Sequence, residues 1–266
     1  MDTVKQFKAP TSQFTLKATY TDDSTKLAER LESQRPPAPS YDKVEALHVQ
    51  GNIFLVAGGG GNVALSVGGD GVLMVDAGAA QASAKIIDAV TQVTRMPKPA
   101  PRGNIASNFA SVWQSTHSQA PPAIRMIIDT SDSPDHAGGN GNIASSKIFK
   151  PIGVEGADQA ASEVILAHEQ VQQRMIAANV PVRGQPTNTY FSERYRLHRF
   201  FNGEGVEVVH MPSAITDGDS VVWFRGSDVI ATGEIFNSDS YPQIDVDRGG
   251  SVQGLITALE KITDLC

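Results

Sequence analysis

The residues best suited to chemistry lie in one short polar stretch, residues 130–140, which reads TSDSPDHAGGN. It follows residues 124–129, an apolar run with the β-branched and aliphatic residues of a buried strand. Within it Asp135 precedes His136, and a carboxylate beside an imidazole can hold a metal ion or transfer protons. The two glycines that follow allow a sharp backbone turn. The sequence therefore predicts a candidate site in a polar loop at the end of a strand.

Three further stretches place acidic residues at or near the ends of predicted strands. The first is GVLMVDAG at residues 71–78, in which Asp76 ends the strand and a helix over residues 82–93 follows. The second is MPSAITDGDS at residues 211–220, which leads into a strand over residues 221–224. The third is VIATGEIF at residues 229–236, where the acid is Glu234.

These four stretches, in this order, resemble the motifs of the metallo-β-lactamase superfamily. Residues 130–140 are in register with the superfamily pattern T-H-x-H-x-D-H-x-G-G-N over its whole length. The resemblance covers residues 46–264 and implies an α/β (α+β) fold, the four-layer αβ/βα sandwich. It predicts a metallo-β-lactamase-like domain over residues 46–266, preceded by a polar N-terminal arm over residues 1–45. Relatives continue to a last strand and a final metal-binding histidine, so the resemblance implies a C-terminally incomplete domain.

The resemblance also implies the positions of a binuclear zinc site, and three of its imidazoles are replaced in this chain. Ser131 and Ser133 stand at two of these positions, and Ile215 stands where relatives carry a histidine before Thr-x-Gly-Asp-Ser. Serine hydroxyls are poor zinc ligands, and an isoleucine side chain cannot bind a metal. We therefore expect no metal at the first site, and we do not expect two zinc ions.

The resemblance implies a remnant of the second metal site, formed by Asp135, His136 and Glu234. Glu234 replaces the aspartate that bridges the two metals in relatives. Three ligands could hold one divalent ion, either zinc or a harder cation, and Asp135 would then also be the candidate catalytic residue. The alternative is that Asp135 and His136 only stabilise the loop. Asp132 is an additional acid between the two serines, and it points either into the site or away from it.

Three other acidic residues are predicted to support the site without binding the metal. The resemblance implies this role for Asp76, which could also cap a helix or form a turn. Asp217 and Asp219 could form an acid–base pair. Their position in a Thr-Asp-Gly-Asp-Ser turn favours hydrogen bonds from backbone N–H groups to their side chains instead.

Several other patterns are assigned structural roles. Ser131 or Ser133 beside His136 suggests a Ser–His nucleophile, but neither serine lies in a Gly-x-Ser-x-Gly turn. The four glycines at residues 58–61 are predicted to form a hairpin turn, because no helix follows them as in a phosphate-binding loop. Residues 96–122 are predicted to be a surface insertion that includes a solvated histidine, His117. His168, at a strand end, is not counted as a ligand.

Composition excludes several classes of function. The formal net charge of −7 argues against a protein that binds the phosphates of nucleic acid. The single cysteine, Cys266, excludes an internal disulfide and a cysteine-rich zinc module. No segment reaches the roughly 20 apolar residues that span a bilayer. The N-terminus lacks the apolar core of a signal peptide, so the cytoplasm is the default compartment, and secretion would require a leader that has been removed.

Two hypotheses for the function follow. The first is a non-catalytic relative of the hydrolases that binds a small molecule or a protein partner in the old cleft. The second is a hydrolase that uses one metal ion on an ester, lactone, amide or phosphodiester. The sequence leaves open whether the protein is an enzyme and which ligand it binds, because specificity in this superfamily depends on loops.

Overall fold

The computed structural model describes residues 4–8, 15–19, 41–95, 123–150, 164–238 and 241–265. The chain divides into two compact units, Met1–Pro39 and Ser40–Cys266. In the first unit, strand β1 (Val4–Lys8) pairs antiparallel with strand β2 (Thr15–Thr19). A short helix predicted for residues 25–33, the insertion at residues 96–122 and His117 all lie outside the described residues.

Seven strands form the larger sheet among the described residues of the second unit. They lie side by side in chain order, and the first four are antiparallel neighbours joined by short connections. The last three strands add in parallel. The strands are β3 (Glu45–Gln50), β4 (Ile53–Ala57), β5 (Val63–Gly68), β6 (Gly71–Val75), β7 (Ile124–Ile128), β8 (Ile165–His168) and β9 (Asn188–Tyr190).

Four antiparallel strands in chain order form the second sheet in the described part of this unit. They are β10 (Arg194–Arg196), β11 (Val206–His210), β12 (Ser220–Phe224) and β13 (Val229–Ala231). The α-helices are α1 (Ser83–Arg95), α2 (Pro134–Ala137), α3 (Asn140–Ala144), α4 (Glu169–Ala177) and α5 (Val252–Leu265). No helix among the described residues is long and apolar enough to cross a membrane.

The two sheets and their helices form four layers. Side chains alternate between the two faces of a strand, so a strand buried on both faces is apolar throughout. In β6, Val72 and Met74 pack in the cluster that contains Ile86 of α1, whereas Leu73 and Val75 pack in the cluster that joins the two sheets. The outer face of the second sheet packs against α5. This order of helix, sheet, sheet and helix confirms the predicted αβ/βα sandwich.

Most predicted elements are present, and the main difference lies after β7. Residues 130–140 were predicted to be a polar loop, but the chain forms the short helix α2 there and α3 begins at Asn140, so that prediction was wrong for these residues. The first residue of α2 is Pro134, whose fixed φ suits a helix start and whose missing N–H costs nothing there. The hairpin predicted at the four glycines is confirmed between β4 and β5, where Gly58 and Gly60 have φ of +84° and +101°.

Candidate active-site cleft

The candidate site lies where the parallel strands β6 and β7 end. Asp76 directly follows β6, and Asp129 and Thr130 directly follow β7. Because these strands are parallel neighbours, their carboxyl ends meet at one edge of the sheet, where ligands bind in open α/β sheets. The backbone N–H of Asp76 donates to the carbonyl of Ile128 over 2.8 Å, which extends the pairing to the strand ends.

The buried carboxylate of Asp76 holds the polar loop that follows β7. Its carboxylate accepts hydrogen bonds from the Thr130 backbone N–H at 2.7 Å and from the Thr130 hydroxyl at 2.8 Å. Its Oδ2 lies 2.7 Å from His136 Nδ1. The carboxylate is almost fully buried, and the backbone has φ of +65°, which Asp tolerates better than most residues. Asp76 therefore binds two points of the loop and does not cap a helix.

The electrostatics of His136 are set by three carboxylates. Burial by itself lowers the pKa of His136, but Asp76, Glu234 and Asp135 outweigh burial and raise the pKa to about 9. The imidazole is therefore mostly protonated at neutral pH, and both ring nitrogens are hydrogen-bond donors. Its Nε2 lies 3.9 Å from Glu234 Oε1. A histidine must be neutral to bind a metal, so a metal would have to displace this proton.

The β4–β5 hairpin packs directly on the imidazole of His136. The backbone N–H of Gly61 donates to the carbonyl of Asp135 over 2.7 Å. A Cβ at position 61 would lie 2.6 Å from His136 Nε2, closer than any real contact. Glycine is therefore required at this position by the close approach of the hairpin to the imidazole.

A cleft of about 850 Å³ opens in front of these residues. Its walls come from β4, from the β4–β5 hairpin, from the polar loop after β7 and from two segments that follow β13. The side chains of four predicted site positions, Ser133, Asp135, His136 and Glu234, line it together with Ile215 and Asp76. Its other lining residues include Gly60, Gly61, Asn62, Thr232, Gly233, Phe236, Tyr241, Asp245 and Arg248. The structure thus gathers most of the predicted site around one cleft.

Three predicted site residues, Ser131, Asp217 and Asp219, do not line the cleft, and neither does His168. Ser131 is buried, and its Oγ accepts a hydrogen bond from the Ser133 backbone N–H at 3.3 Å. His168 stacks on His210, with ring centroids 3.7 Å apart, and its Nδ1 accepts a hydrogen bond from the Gln170 backbone N–H at the start of α4. The prediction that His168 is not a ligand agrees with this position.

Asp132, between the two serines, is held by two arginines that the sequence analysis did not identify. Its Oδ1 accepts from Arg174 Nη1 at 3.1 Å, and its Oδ2 accepts from Arg248 Nη1 at 2.7 Å. The Asp132 side chain is only 11% exposed. We call Asp132, Arg174 and Arg248 the arginine clamp. Arg174 lies on α4, so the clamp joins the polar loop to a helix and to the segment before α5.

The arginine clamp also reaches the loop over residues 211–219. Arg174 Nη1 donates to the Thr216 hydroxyl at 3.3 Å, and Arg174 also pairs with Asp217. Asp217 therefore forms an ion pair, whereas the sequence predicted bonds to the backbone. Asp219 does make such bonds, since its carboxylate accepts from the N–H groups of Ile215 and Thr216, each over 2.7 Å. Burial raises the pKa of Asp219 to about 6, although the hydrogen bonds from Thr216 oppose the shift.

No local pattern could have identified the arginine clamp. Arg174 and Arg248 lie 42 and 116 residues from Asp132 in the sequence. A single arginine in a helix is most often a solvated side chain, so neither residue gives a signal by itself. The only clue was Asp132 itself, an additional acid between the two serines.

The donor atoms present do not suit a metal ion in this arrangement. Zinc sites use three or four nitrogen, sulfur or oxygen ligands that converge on one point. Among the residues that the structure describes, no three His, Cys, Asp or Glu side chains form such a group. The bond of His136 to Asp76 uses Nδ1 and leaves Nε2 available, whereas the Asp135 carboxylate accepts a hydrogen bond from the Tyr41 hydroxyl at 3.4 Å. Assignment of Asp135, His136 and Glu234 to a single metal stays a prediction.

Comparison with solved structures identifies the fold. No family model matches the chain, and no curated protein matches it. The DIM-1 metallo-β-lactamase is similar over 84% of this chain and 84% of its own, with 11% identity and a TM-score of 0.55. A metallo-β-lactamase from Pontibacter korlensis is similar over 84% of this chain and 86% of its own, with 12% identity and a TM-score of 0.53. Together with the four layers and the strand-end site, these similarities show that this chain has the metallo-β-lactamase fold.

Proposed function

We propose that this protein is a non-catalytic relative of the metallo-β-lactamase-fold hydrolases that binds a small molecule in the old cleft. The observation that carries the proposal is the arginine clamp on Asp132. It lies in the part of the loop where the family resemblance implies zinc-binding imidazoles at the positions of Ser131 and Ser133. The clamp places fixed positive charge beside these positions, which supports the proposal that the loop is organised without a metal.

The charges around the loop support the absence of a first-site zinc. The guanidinium groups of Arg174 and Arg248 lie within hydrogen-bond distance of Asp132. His136 is paired with Asp76, so it adds no net positive charge. The two guanidinium groups occupy both oxygens of the Asp132 carboxylate, so this carboxylate is not free to bind a divalent cation. The one acid between the former ligand positions is already neutralised by the arginines.

The cleft itself supports the binding of a small molecule. Its volume of about 850 Å³ lies within the range of about 300–1,000 Å³ that is usual for ligand pockets. The apolar and aromatic part of the wall comes from Phe54, Phe236 and Tyr241. The polar groups come from Asp135, Glu234 and Arg248. This mixture is typical of sites that orient a ligand by a few polar contacts.

A second candidate function is hydrolysis with a single metal ion. The observation in its favour is that His136 Nε2 and Glu234 Oε1 face each other at 3.9 Å while Asp135 lines the same cleft. A metal between them would have to displace the proton of His136 and pull the carboxylates inward. Bound metal would then supply an activated water for attack on the substrate.

Metal content and turnover separate the two candidates. We expect elemental analysis of protein purified without chelator to find less than one zinc per chain. Hydrolysis of β-lactam, thioester and phosphodiester reporters should stay at background with or without added zinc or manganese. His136→Ala should leave that background unchanged. Two tightly held zinc ions, or a metal-dependent turnover that His136→Ala abolishes, would contradict the proposal, and the second result would establish the single-metal hydrolase.

A further inference from the structure

The outer face of the second sheet carries a row of side chains that has no role in the cleft. Arg196 on β10 pairs in register with Glu207 on β11, and Glu207 pairs in register with Trp223 on β12. Residues directly opposite on neighbouring strands point to the same face. Arg194 and Arg225 are each two residues from a member of this row, so they lie on the same face. We call Arg194, Arg196, Trp223 and Arg225, with the adjacent Phe200, the arginine face.

The arginine face lies beside the part of the sheet that α5 covers. The next positions along β11 and β12 on this face, Val209 and Val221, are buried in a cluster with Leu255 and Ala258 of α5. The arginines are not covered in this way, since the side chains of Arg194 and Arg196 are 49% and 69% exposed. One half of the sheet face is thus packed by a helix, and the other half is accessible among the described residues.

The arginine face has an excess of positive charge. Its one acid, Glu207, is buried and already accepts hydrogen bonds from Arg194 Nη1 at 3.0 Å and Arg196 Nε at 3.2 Å. Arg225 has no carboxylate partner in the part of the chain that the structure describes, and its guanidinium lies 5.4 Å from the centre of the Trp223 ring. Three guanidinium groups therefore face one carboxylate, on a protein whose formal net charge is −7.

Aromatic side chains accompany these charges. Phe200 is 73% exposed, and it flanks Gly205 together with the aliphatic stem of Arg225. The Trp223 indole Nε1 is buried without a hydrogen-bond partner among the described residues. Tryptophan and arginine dominate the binding energy of protein interfaces, and exposed phenylalanine is enriched there relative to the rest of the surface. The composition of this face therefore resembles the centre of an interface more than a solvated sheet surface.

We propose that the arginine face docks an acidic segment of a partner protein, with carboxylates on the guanidinium groups and an apolar side chain beside Phe200. Charge complementarity selects an acidic partner, because the remaining N–H groups of the arginines can donate hydrogen bonds to a further carboxylate. Nucleic acid fits less well, since a chain of net charge −7 repels an extended polyanion outside this small patch. The proposal concerns a surface separate from the cleft and does not depend on the proposed function.

The test uses variants that leave the partners of buried Glu207 in place. Fluorescence anisotropy should detect binding of a labelled peptide rich in glutamate and tyrosine, and binding should weaken as salt is raised. Arg225→Gln and Phe200→Ser should each weaken binding by about tenfold. Arg95→Gln, an exposed arginine at the end of α1 with the same change of charge, is the matched control and should change binding by less than about twofold.

Three results would overturn the proposal. One is equal binding of the peptide by the wild type, Arg225→Gln and Phe200→Ser. Another is binding of a labelled oligothymidine as tight as that of the peptide, lost in Arg225→Gln, which would assign the face to nucleic acid. The third is a concentration-dependent dimer in sedimentation that Phe200→Ser dissociates, which would assign the face to a second copy of the chain. Thermal unfolding of each variant checks that the fold is intact.

Discussion

The loop after β7 has a first half around Asp132 and a second half around His136, and the charges of the two halves are neutralised in different ways. In the second half, His136 is paired with Asp76, which lies at the end of the neighbouring strand and is almost fully buried. In the first half, Asp132 is paired with Arg174 and Arg248, which come from distant segments and remain partly exposed. The second half therefore relies on the strand framework, whereas the first half relies on contacts between surface elements.

This difference shows what each half of the loop is attached to. In the second half, Asp76 also accepts two hydrogen bonds from Thr130, so the loop is attached to the strand framework. In the first half the arginine clamp joins the loop to α4 and to the segments around Thr216 and Asp245. The family resemblance implies that a first-site metal would join this loop to the position of Ile215. The arginine clamp joins the same loop to Thr216, the next residue in the chain.

Removal of the Asp76 carboxylate should have the largest effect on stability. Asp76→Ala removes the main cause of the raised pKa of His136, so the imidazole should become neutral, and its Nδ1 and the Thr130 donors stay buried without a partner. This should lower the free energy of unfolding by about 3–5 kcal/mol. Asp76→Asn should cost less, because its amide oxygen can still accept a hydrogen bond and asparagine tolerates the positive φ. Urea unfolding measures both. A loss below about 1 kcal/mol for Asp76→Ala would show that the framework does not hold the second half.

Disruption of the arginine clamp should have an intermediate effect. Arg174→Met keeps the aliphatic stem but leaves Asp132 with one partner, and we expect a loss of about 1–3 kcal/mol because the pair is only partly buried. Arg248→Met should cost less, since its side chain is 40% exposed. Urea unfolding at low and high salt provides the measurement. The cost of Arg174→Met should shrink at high salt, and an unchanged cost would mean that packing, not charge, is responsible.

The pH dependence of stability should have opposite signs for two histidines. The pKa of His136 is raised from its ordinary value of 6.5 to about 9. Its contribution to the free energy of unfolding is therefore fully present below pH 6.5 and is lost as the pH rises through 9. Burial, and then the charges of His210 and Arg174, lower the pKa of His168 to about 4. Its contribution is therefore present above 6.5 and is lost as the pH falls through 4.

Matched variants separate these two contributions in urea unfolding across the pH range. His136→Gln should flatten the alkaline fall in stability, and His168→Asn, which can still cap α4, should flatten the acid fall. Asp219, whose pKa is raised to about 6, stabilises the fold progressively less as the pH rises through 6. The quantity to compare is therefore the difference in the free energy of unfolding between wild type and His168→Asn, and not the whole fall in stability at acid pH. If the fall in stability at alkaline pH is unchanged in His136→Gln, then His136 does not cause that fall.

Much of the architecture could be predicted because the relevant signals are local. The apolar run of β6 is buried on both faces, and this requires only consecutive apolar residues. The order of the strand-end motifs indicated the fold, and the solved structures confirmed it. The helices α2 and α3 were missed because polar residues and glycine dominate them, and their stability comes from packing on the neighbouring loop and not from helix propensity.

The amino-acid sequence alone determined the layers of the fold, the location of the cleft at the strand ends and the absence of imidazoles at positions 131, 133 and 215. These depend on residue types along the chain. Only the tertiary structure decided that Asp132 is held by Arg174 and Arg248, that His136 is paired with Asp76, and that three arginines share a sheet face. Charge pairs act over a few ångströms in space, and the partners here are separated by up to 116 residues in the chain, so no sequence pattern records them.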